Sequence, residues 1–490
     1  MEKPGMDNGI DLVGAGDIPA LLANAQIAFS ELPGEIQDLA RTFQEHNKEI
    51  SLVGGPVRDA FLGIPPHDFD LTTSATPDET ESTLKEWGAK IWTVGRDFGT
   101  IAGRKHGIEV EVTTYRTEEY EESSRKPTVS FGDSLEGDLS RRDFTVNAMA
   151  MRLPNMAMVD PFNGLEDLAA GILQTPVSAT QSFSDDPLRI MRAARFAAQL
   201  GIDVSEEVMA AMTSERERLR IVSAERIRTE LEKLIVSKYP RRGLELLVYT
   251  GVADIVLPEL SGLVATVDEH GRHKDVYEHT LTVLDQAIDL ETDQDGPVPG
   301  PDFILRFAAL MHDIGKPATR KFEGRQVTFH HHDYVGAKMT RKRMNELKFD
   351  KATTRAVSDL VAKHLRFHGY GESKWTDSAV RRYVADAGDQ LERLHRLTRA
   401  DSTTQNRRKA AMISAAYDDL ERRIEELREK EELEAVRPEL SGDEIMELLN
   451  LEPSPAVGEA YRFLLDLRME KGPIGKDEAT KRLMTWWRSR

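Results

Sequence analysis

The chain has 490 residues, with 65 Lys or Arg against 84 Asp or Glu for a formal charge of −19, and at roughly 100–200 residues per domain it is multidomain. It contains no cysteine, which excludes disulfide scaffolds, thiolate zinc sites and cysteine nucleophiles. The acidic balance weighs against a nucleic-acid partner without excluding one, because a basic groove can sit in an acidic whole.

Residues 1–28 read as a mobile leader. Met1–Gly16 is acidic and Gly-rich, with no basic run before an apolar one, so no secretory signal is expected. No apolar run approaches the roughly 20 residues of a membrane helix, so no membrane partner is expected and the expected location is the cytoplasm. An apolar stretch, Ser51–Val53, then runs into Gly54-Gly55 and Pro56, and Pro suits the first turn of a helix. Glycines let backbone approach a ligand, and helix N-terminal amides attract phosphate. Alone, the pair is equally an ordinary strand–turn–helix junction.

Asp68 and Asp70 stand two apart, so on a strand they share a face. Such a pair repels unless a cation lies between, and the hard cation for carboxylate oxygens is Mg²⁺. Strands are predicted within 89–116, where Ile108–Arg116 alternates polar and β-branched residues. Residues 117–138, charged and without period, read as a long loop. Helices are predicted at 186–200, 205–218, 223–238 and 241–250. In the first of these, Arg189, Arg192 and Arg195 recur at steps of three, on one face with Asp186. Ile190, Met191, Ala193, Ala194 and Phe196 fill the positions between, so the row is expected to face a cleft.

Of the 13 histidines, nine lie between His270 and His368. His312-Asp313 closes an apolar helical stretch, with His279, His332, His364 and Asp401 elsewhere in the region. Imidazole and carboxylate together suit Mn, Fe, Co, Ni or Zn, and Mg where carboxylate dominates. A lone His-Asp pair is more often a buried hydrogen-bonded couple. Glu291–Asp302 reads as a surface loop, and 405–436 as a charged helix with a solvated face.

Taken jointly, "VGGPVRD", "DFDLTT", "RRDFTVNAMAM", "DPFNGLEDL" and "DDPLRIMRAARFA" resemble, in order and spacing, the CCA-adding tRNA nucleotidyltransferases of the class related to bacterial poly(A) polymerases. The resemblance implies that Asp68 and Asp70 are metal ligands with a third carboxylate on a later strand, for which Glu111 is the choice and Glu109, on the same face, the alternative. It implies triphosphate binding at Gly54, Gly55 and Arg58, nucleotide contact at Arg142, Arg192 and Arg195, and base reading by Asp186 and Arg189. The loop at 117–138 takes the place of the family's flexible loop for the final A. Asp185 departs from the family's usual Glu.

The His279, His312, Asp313 and Asp401 set resembles the ligands of HD phosphohydrolases, with His332 and His364 at the additional positions of members with phosphatase activity. His330 and His331 are expected on a solvated loop. Residues 440–487 resemble the family's tRNA-binding tail, with Ser454 where Gly is usual. Gly458, Arg462, Arg468, Trp486 and Trp487 are candidate RNA contacts there, the two Trp more readily core residues. Arg407, Arg408 and Lys409 are candidate phosphate contacts or a plain solvated cluster.

The expected fold is α+β: a small mixed α/β nucleotidyltransferase head followed by an all-α neck, HD domain and tail. The expected boundaries are leader 1–28, head 29–165, neck 166–268, HD domain 269–404 and tail 405–490. Expected ligands are Mg²⁺ at the head, a divalent transition metal or Mg²⁺ at the HD site, CTP, ATP and the tRNA acceptor arm. A poly(A) polymerase, or an enzyme adding only CC or only A, is the alternative.

Overall fold

The computed structural model describes residues 17–66, 69–119, 128–132, 134–264, 276–323, 326–367, 375–403, 406–431 and 437–489. The chain divides into two compact units, the second beginning at Gly262 while Glu346–Phe349 belong to the first.

The first unit is organised on a mixed sheet. Its strands are β1 (Ile50–Val53), β2 (Phe69–Thr73), β3 (Lys90–Trp92), β4 (Thr100–Lys105) and β5 (Ile108–Thr114). A separate hairpin pairs β6 (Arg116–Glu119) with β7 (Thr128–Phe131), and β8 (Ala150–Leu153) and β9 (Ala157–Val159) return to the sheet. The sheet order is β3-β4-β5-β2-β1-β8-β9. All four residues of β1 are buried, as a central strand requires. It runs antiparallel to β2 and β8, while β2 and β5 are parallel.

Two expectations need correction. The leader expected over 1–28 is helical from Ile18 to Ser30, and Leu21, Ala25, Ala28 and Phe29 are buried. Those apolar residues recur at helical spacing, and Pro19 opens the helix. The loop expected over 117–138 contains the β6–β7 hairpin and a helix, Leu135–Ser140, capped by Ser134. The alternation in Thr128–Phe131 spans only four residues and is hidden by the charged run before it; residues 120–127 and 133 lie outside the described residues.

Beyond the sheet the first unit is helical. The helix Leu188–Leu200 buries Ile190, Met191, Ala193, Ala194 and Ala197 and packs against the helices Ala224–Ile235 and Pro240–Tyr249. The second unit is built from helices around Val276–Asp289, Phe303–Met311, Lys351–Lys363 and Leu391–Asp401. The helix Arg407–Glu431 is largely exposed but buries a stripe of Tyr417, Leu420, Ile424 and Leu427. At the C-terminal end, Trp486 stacks on Phe463 with centroids 4.6 Å apart, beside the buried cluster of Ile445, Leu464 and Leu483. Arg468 is bound to Glu439 at 3.2 Å. The α+β class, a mixed-sheet head with a helical body, is the observed one.

Candidate functional site

Strand pairing brings the acidic residues of the head together. In the parallel pair β2–β5 the register sets Asp70 opposite Glu111. Glu109 is instead paired across to Arg104 on β4, with an ion pair at 3.5 Å. Asp68 lies outside the described residues.

Glu111 is on the wall of a cavity of about 740 Å³, together with Arg142, Asp143, Asp186, Arg189 and Arg192. Trp92, Phe98, Arg218 and Arg226 complete much of the lining. The cavity wall therefore carries guanidinium and carboxylate groups together. Hard oxygen donors set side by side suit a divalent cation such as Mg²⁺.

Gly54 joins β1 to the helix Gly55–Phe61 at φ 74°, ψ −133°, a conformation open to Gly and few other residues. A Cβ there would stand 3.0 Å from Nη1 of Arg142, so glycine lets this arginine lie against the chain. Burial lowers the Arg142 pKa, against the pull of Asp138 and Asp70. Asp138 is buried, accepts from Arg141 at 2.6 Å and lies 3.5 Å from Arg142. Burial would raise its pKa, but those two guanidiniums outweigh it and hold the carboxyl below its ordinary value.

Asp186 does not sit on the arginine helix. It ends the preceding helix, Ala179–Asp185, in an extended conformation, because Pro187 disfavours helical backbone in the residue before it. Its Oδ1 accepts from the Leu188 amide at 3.1 Å and its Oδ2 from Arg226 at 3.2 Å. Arg189 is buried and donates to Ser182 Oγ at 2.7 Å. Of the arginine row, Arg189 and Arg192 reach the cavity wall. Arg195 is engaged elsewhere: it donates to Glu230 at 2.6 Å and lies 4.0 Å over the Phe196 ring.

Sequence reasoning missed the residue that ties these parts together. Asp143 accepts from Arg192 at 2.7 Å and from Asn147 at 3.0 Å. Asn147 in turn accepts from Arg58 at 2.6 Å, and Arg58 also donates to Asp59. Burial opposes the Asp143 charge, but Arg192 and the Asn147 hydrogen bond bring its pKa down to about 2. An acid directly after an arginine pair and before an apolar run was the available signal.

The second unit holds a distinct cluster. His279 Nε2 lies 2.9 Å from Asp401 and 3.6 Å from Asp313. His312 Nε2 lies 3.3 Å from Asp313 and 3.4 Å from Asp401, and His332 Nε2 lies 3.2 Å from Asp313. Ligand atoms of His279, His312 and Asp401 form one compact group, and those of Asp313, His332 and His364 another. The Nδ1 atoms of His312, His332 and His364 contact the carbonyls of Ala309, Phe329 and Val361 at 2.7–2.8 Å, while His279 Nδ1 meets Thr403 Oγ1 at 3.1 Å. Such contacts fix the tautomer and aim Nε2 inward, as metal-ligand histidines require. Nε2 of His364 is buried without a hydrogen-bond partner. Burial, aided by His312, pushes His364 down to about 4, so its Nε2 offers an unprotonated lone pair. Gly315 permits this closeness, since a Cβ would fall 2.1 Å from the His332 carbonyl oxygen. These donors fit a divalent cation.

A nucleotidyltransferase head on an RNA-binding, HD-bearing body is the class that the comparisons define. The Poly A polymerase head domain matches residues 50–174, the probable RNA and SrmB-binding site of polymerase A matches 201–263, and the HD domain matches 276–406. An A-adding tRNA nucleotidyltransferase of Deinococcus radiodurans is 32% identical over 451 residues, covering 89% of this chain and 95% of that protein. A CCA-adding enzyme of Streptococcus gordonii is 39% identical over 242 residues, 49% of this chain and 59% of that one. The alignment thus spans about six-tenths of the streptococcal protein's length. The Bacillus stearothermophilus CCA-adding enzyme solved with CTP shares the fold at TM-score 0.67 and 24% identity, over 93% of this chain and 98% of that one. The chain belongs to the tRNA nucleotidyltransferase family related to poly(A) polymerases. No described helix is long and apolar enough to cross a membrane.

Proposed function

We propose that this protein adds C, C and A to the 3′ end of tRNA from CTP and ATP without a template, in the cytoplasm. The observation that carries the reading is the Asp70–Glu111 register beside a cavity that also presents Asp186 and Arg189. Mg²⁺ held by Asp70, Glu111 and Asp68 would supply charge neutralisation at the attacking and leaving oxygens. Arg142 and Arg192 place positive charge where a triphosphate would lie, in keeping with chemistry that needs positioning more than a nucleophilic side chain. Asp186 accepts and Arg189 donates, a pattern that suits the exocyclic amine and ring nitrogen shared by cytosine and adenine. Uracil and guanine invert it and would leave buried polar groups unpaired. Arg58 and Arg195, held by Asn147 and Glu230, support this wall from behind.

The HD cluster, with His279, His312, Asp313 and Asp401 as ligands and His332 and His364 beside them, is proposed to hydrolyse phosphoesters with a divalent metal. Arg407, Arg408 and Lys409, and Gly458 and Arg462 in the tail, are exposed and offer contacts for the tRNA backbone.

The test is a gel of tRNA lacking its 3′ end, with Mg²⁺ and CTP, ATP or both. Two C's with CTP and one further A with both support CCA addition. The Deinococcus relative, aligned over 89% of this chain, favours the A-only reading as second: it predicts no product with CTP and a single A on tRNA already ending in CC. A long ladder with ATP alone would mean a poly(A) polymerase.

A further inference from the structure

One row of side chains crosses the head's sheet from the carboxylates to its edge. Cross-strand partners share a face of a sheet, and the registers run Asp70 to Glu111, Glu111 to Ala102 and Ala102 to Trp92. Four strands thus set these residues in one line on one face, while Ile101, Val110 and Val112 are buried behind it. At about 4.8 Å per strand, Trp92 stands roughly 10 Å along that line from Glu111. Between them Ala102 contributes only a methyl group, and it too lines the cavity.

Trp92 ends the edge strand β3. It is 39% exposed, and the turn that follows exposes Val94 at 95% and Phe98 at 46%. All three line the cavity that holds Glu111 and Arg189. Large apolar side chains gathered at the surface of a polar cavity mark a binding surface. The turn is held in place from outside. Arg96 pairs with both Asp78 and Glu81 of the helix Pro77–Glu86, the Thr100 amide donates to the Gly95 carbonyl at 3.0 Å, and Arg116 donates to the Phe98 carbonyl at 2.6 Å.

The reaction itself selects the occupant. The base of the incoming nucleotide has its polar partners in Asp186 and Arg189. The base at the end of the RNA must be held differently, because it changes at each addition: first the tRNA's own last base, then C, then C again. Stacking on an aromatic face accepts every base, whereas hydrogen-bond reading would reject some. We propose that Trp92, flanked by Phe98 and Val94, is the platform on which the terminal base of the RNA stacks, setting its 3′-hydroxyl over Asp70 and Glu111. The assignment rests on the nucleotidyl-transfer reading above and names the residue that positions the RNA end.

The experiment uses the full chain and tRNA lacking its 3′ end, with an ordinary or an abasic last nucleotide, in wild type, Trp92→Ala and Trp92→Phe. Trp92 is exposed on an edge strand, so both variants are expected to keep the wild-type melting temperature. Trp92→Ala is expected to lower kcat/KM for the ordinary tRNA by about 10–100-fold, the scale of one base stacked on an aromatic side chain, with KM for CTP unchanged. Trp92→Phe should recover most of that loss. The abasic tRNA should slow the wild type by a similar factor and Trp92→Ala hardly further, because its stack is already gone. A second readout needs no chemistry: 2-aminopurine as the last base of the tRNA is expected to be quenched on binding wild type and several-fold less on binding Trp92→Ala. Wild-type kcat/KM in Trp92→Ala, the same fractional loss on ordinary and abasic tRNA, or equal quenching by both proteins overturns the proposal. A wild type that adds no nucleotide to either tRNA would sink the nucleotidyl-transfer reading instead, and the quenching still tests the platform.

Discussion

Asp70 and Glu111 face one another in register across the parallel strands β2 and β5. Neighbouring strands run about 4.8 Å apart, so the two carboxylates repel until a cation lies between them. Glu109, two residues earlier on the same strand, is drawn toward Arg104. Asp70→Asn and Glu111→Gln are each expected to slow CTP incorporation by ~10³-fold, the scale on which preorganised charge acts, with melting temperature unchanged or raised. Glu109→Gln should change the rate by less than about threefold, as removal of an exposed ion pair does. Single-turnover addition to tRNA reads all three. A reversed order between Glu109 and Glu111 would move the third ligand.

Base choice is assigned to Asp186, which is fixed by the Leu188 amide and by Arg226. Asp186→Ala is expected to lower CTP and ATP incorporation and to raise UTP and GTP incorporation relative to them by at least about tenfold, the range in which an unpaired buried polar group discriminates. The measurement is competitive incorporation from equimolar nucleotide pairs. A wild-type ratio in the variant would remove Asp186 from base reading.

Asp143 carries a pH prediction. Its carboxyl falls from 3.8 to about 2 on folding. A depressed carboxylate adds stability that is complete above its unfolded value and is lost as pH falls through the folded one. The first unit should therefore lose ~2 kcal/mol between about pH 4 and pH 2 on this account. Asp143→Asn should destabilise the chain at pH 7 by about 3 kcal/mol, since the partly buried Arg192 loses its partner, and flatten that part of the acid limb. Urea unfolding of wild type and variant at pH 7, 4 and 3 checks both effects. Parallel acid limbs would contradict them.

The motif-bearing parts of the fold were legible because their signals are local. The β1–Gly54–helix junction, the alternation of β5 and the helical periods after Leu188 can all be read from neighbouring residues. Register and long-range partners were not. The sequence preferred Glu111 to Glu109, but the β2–β5 register that sets Glu111 opposite Asp70 is encoded in no single strand. The partners that hold Arg58 and Arg195, Asn147 at a separation of 89 residues and Glu230 at 35, are likewise invisible in the local sequence. Asp186 was read onto the helix because its spacing to Arg189 is helical, although Pro187 already argued for a break. In the second unit His312-Asp313 was evident, but the turning of each Nδ1 toward a carbonyl or hydroxyl is a property of the packed helices.

That packing makes the histidine cluster separable from the head by experiment. His279 is partly exposed and reaches both Asp401 and Asp313, so His279→Ala removes a donor without opening the deep core. The wild type, freed of metal by chelation and reloaded with Mn²⁺, Ni²⁺ or Zn²⁺, is expected to retain a divalent ion through dialysis. It should then hydrolyse p-nitrophenyl phosphate or a 2′,3′-cyclic nucleotide. His279→Ala and Asp401→Asn are expected to lose metal affinity by at least about 100-fold, beyond the cost of disturbing a ligand's outer hydrogen-bond partner, and hydrolysis with it. Addition of nucleotides to tRNA in Mg²⁺ should persist in both variants, because their residues belong to the other unit. Metal retained by the wild type without hydrolysis would make the cluster a structural centre. Neither metal nor hydrolysis in the wild type would leave the inward-facing Nε2 atoms as a buried polar network, and the phosphohydrolase reading would fall.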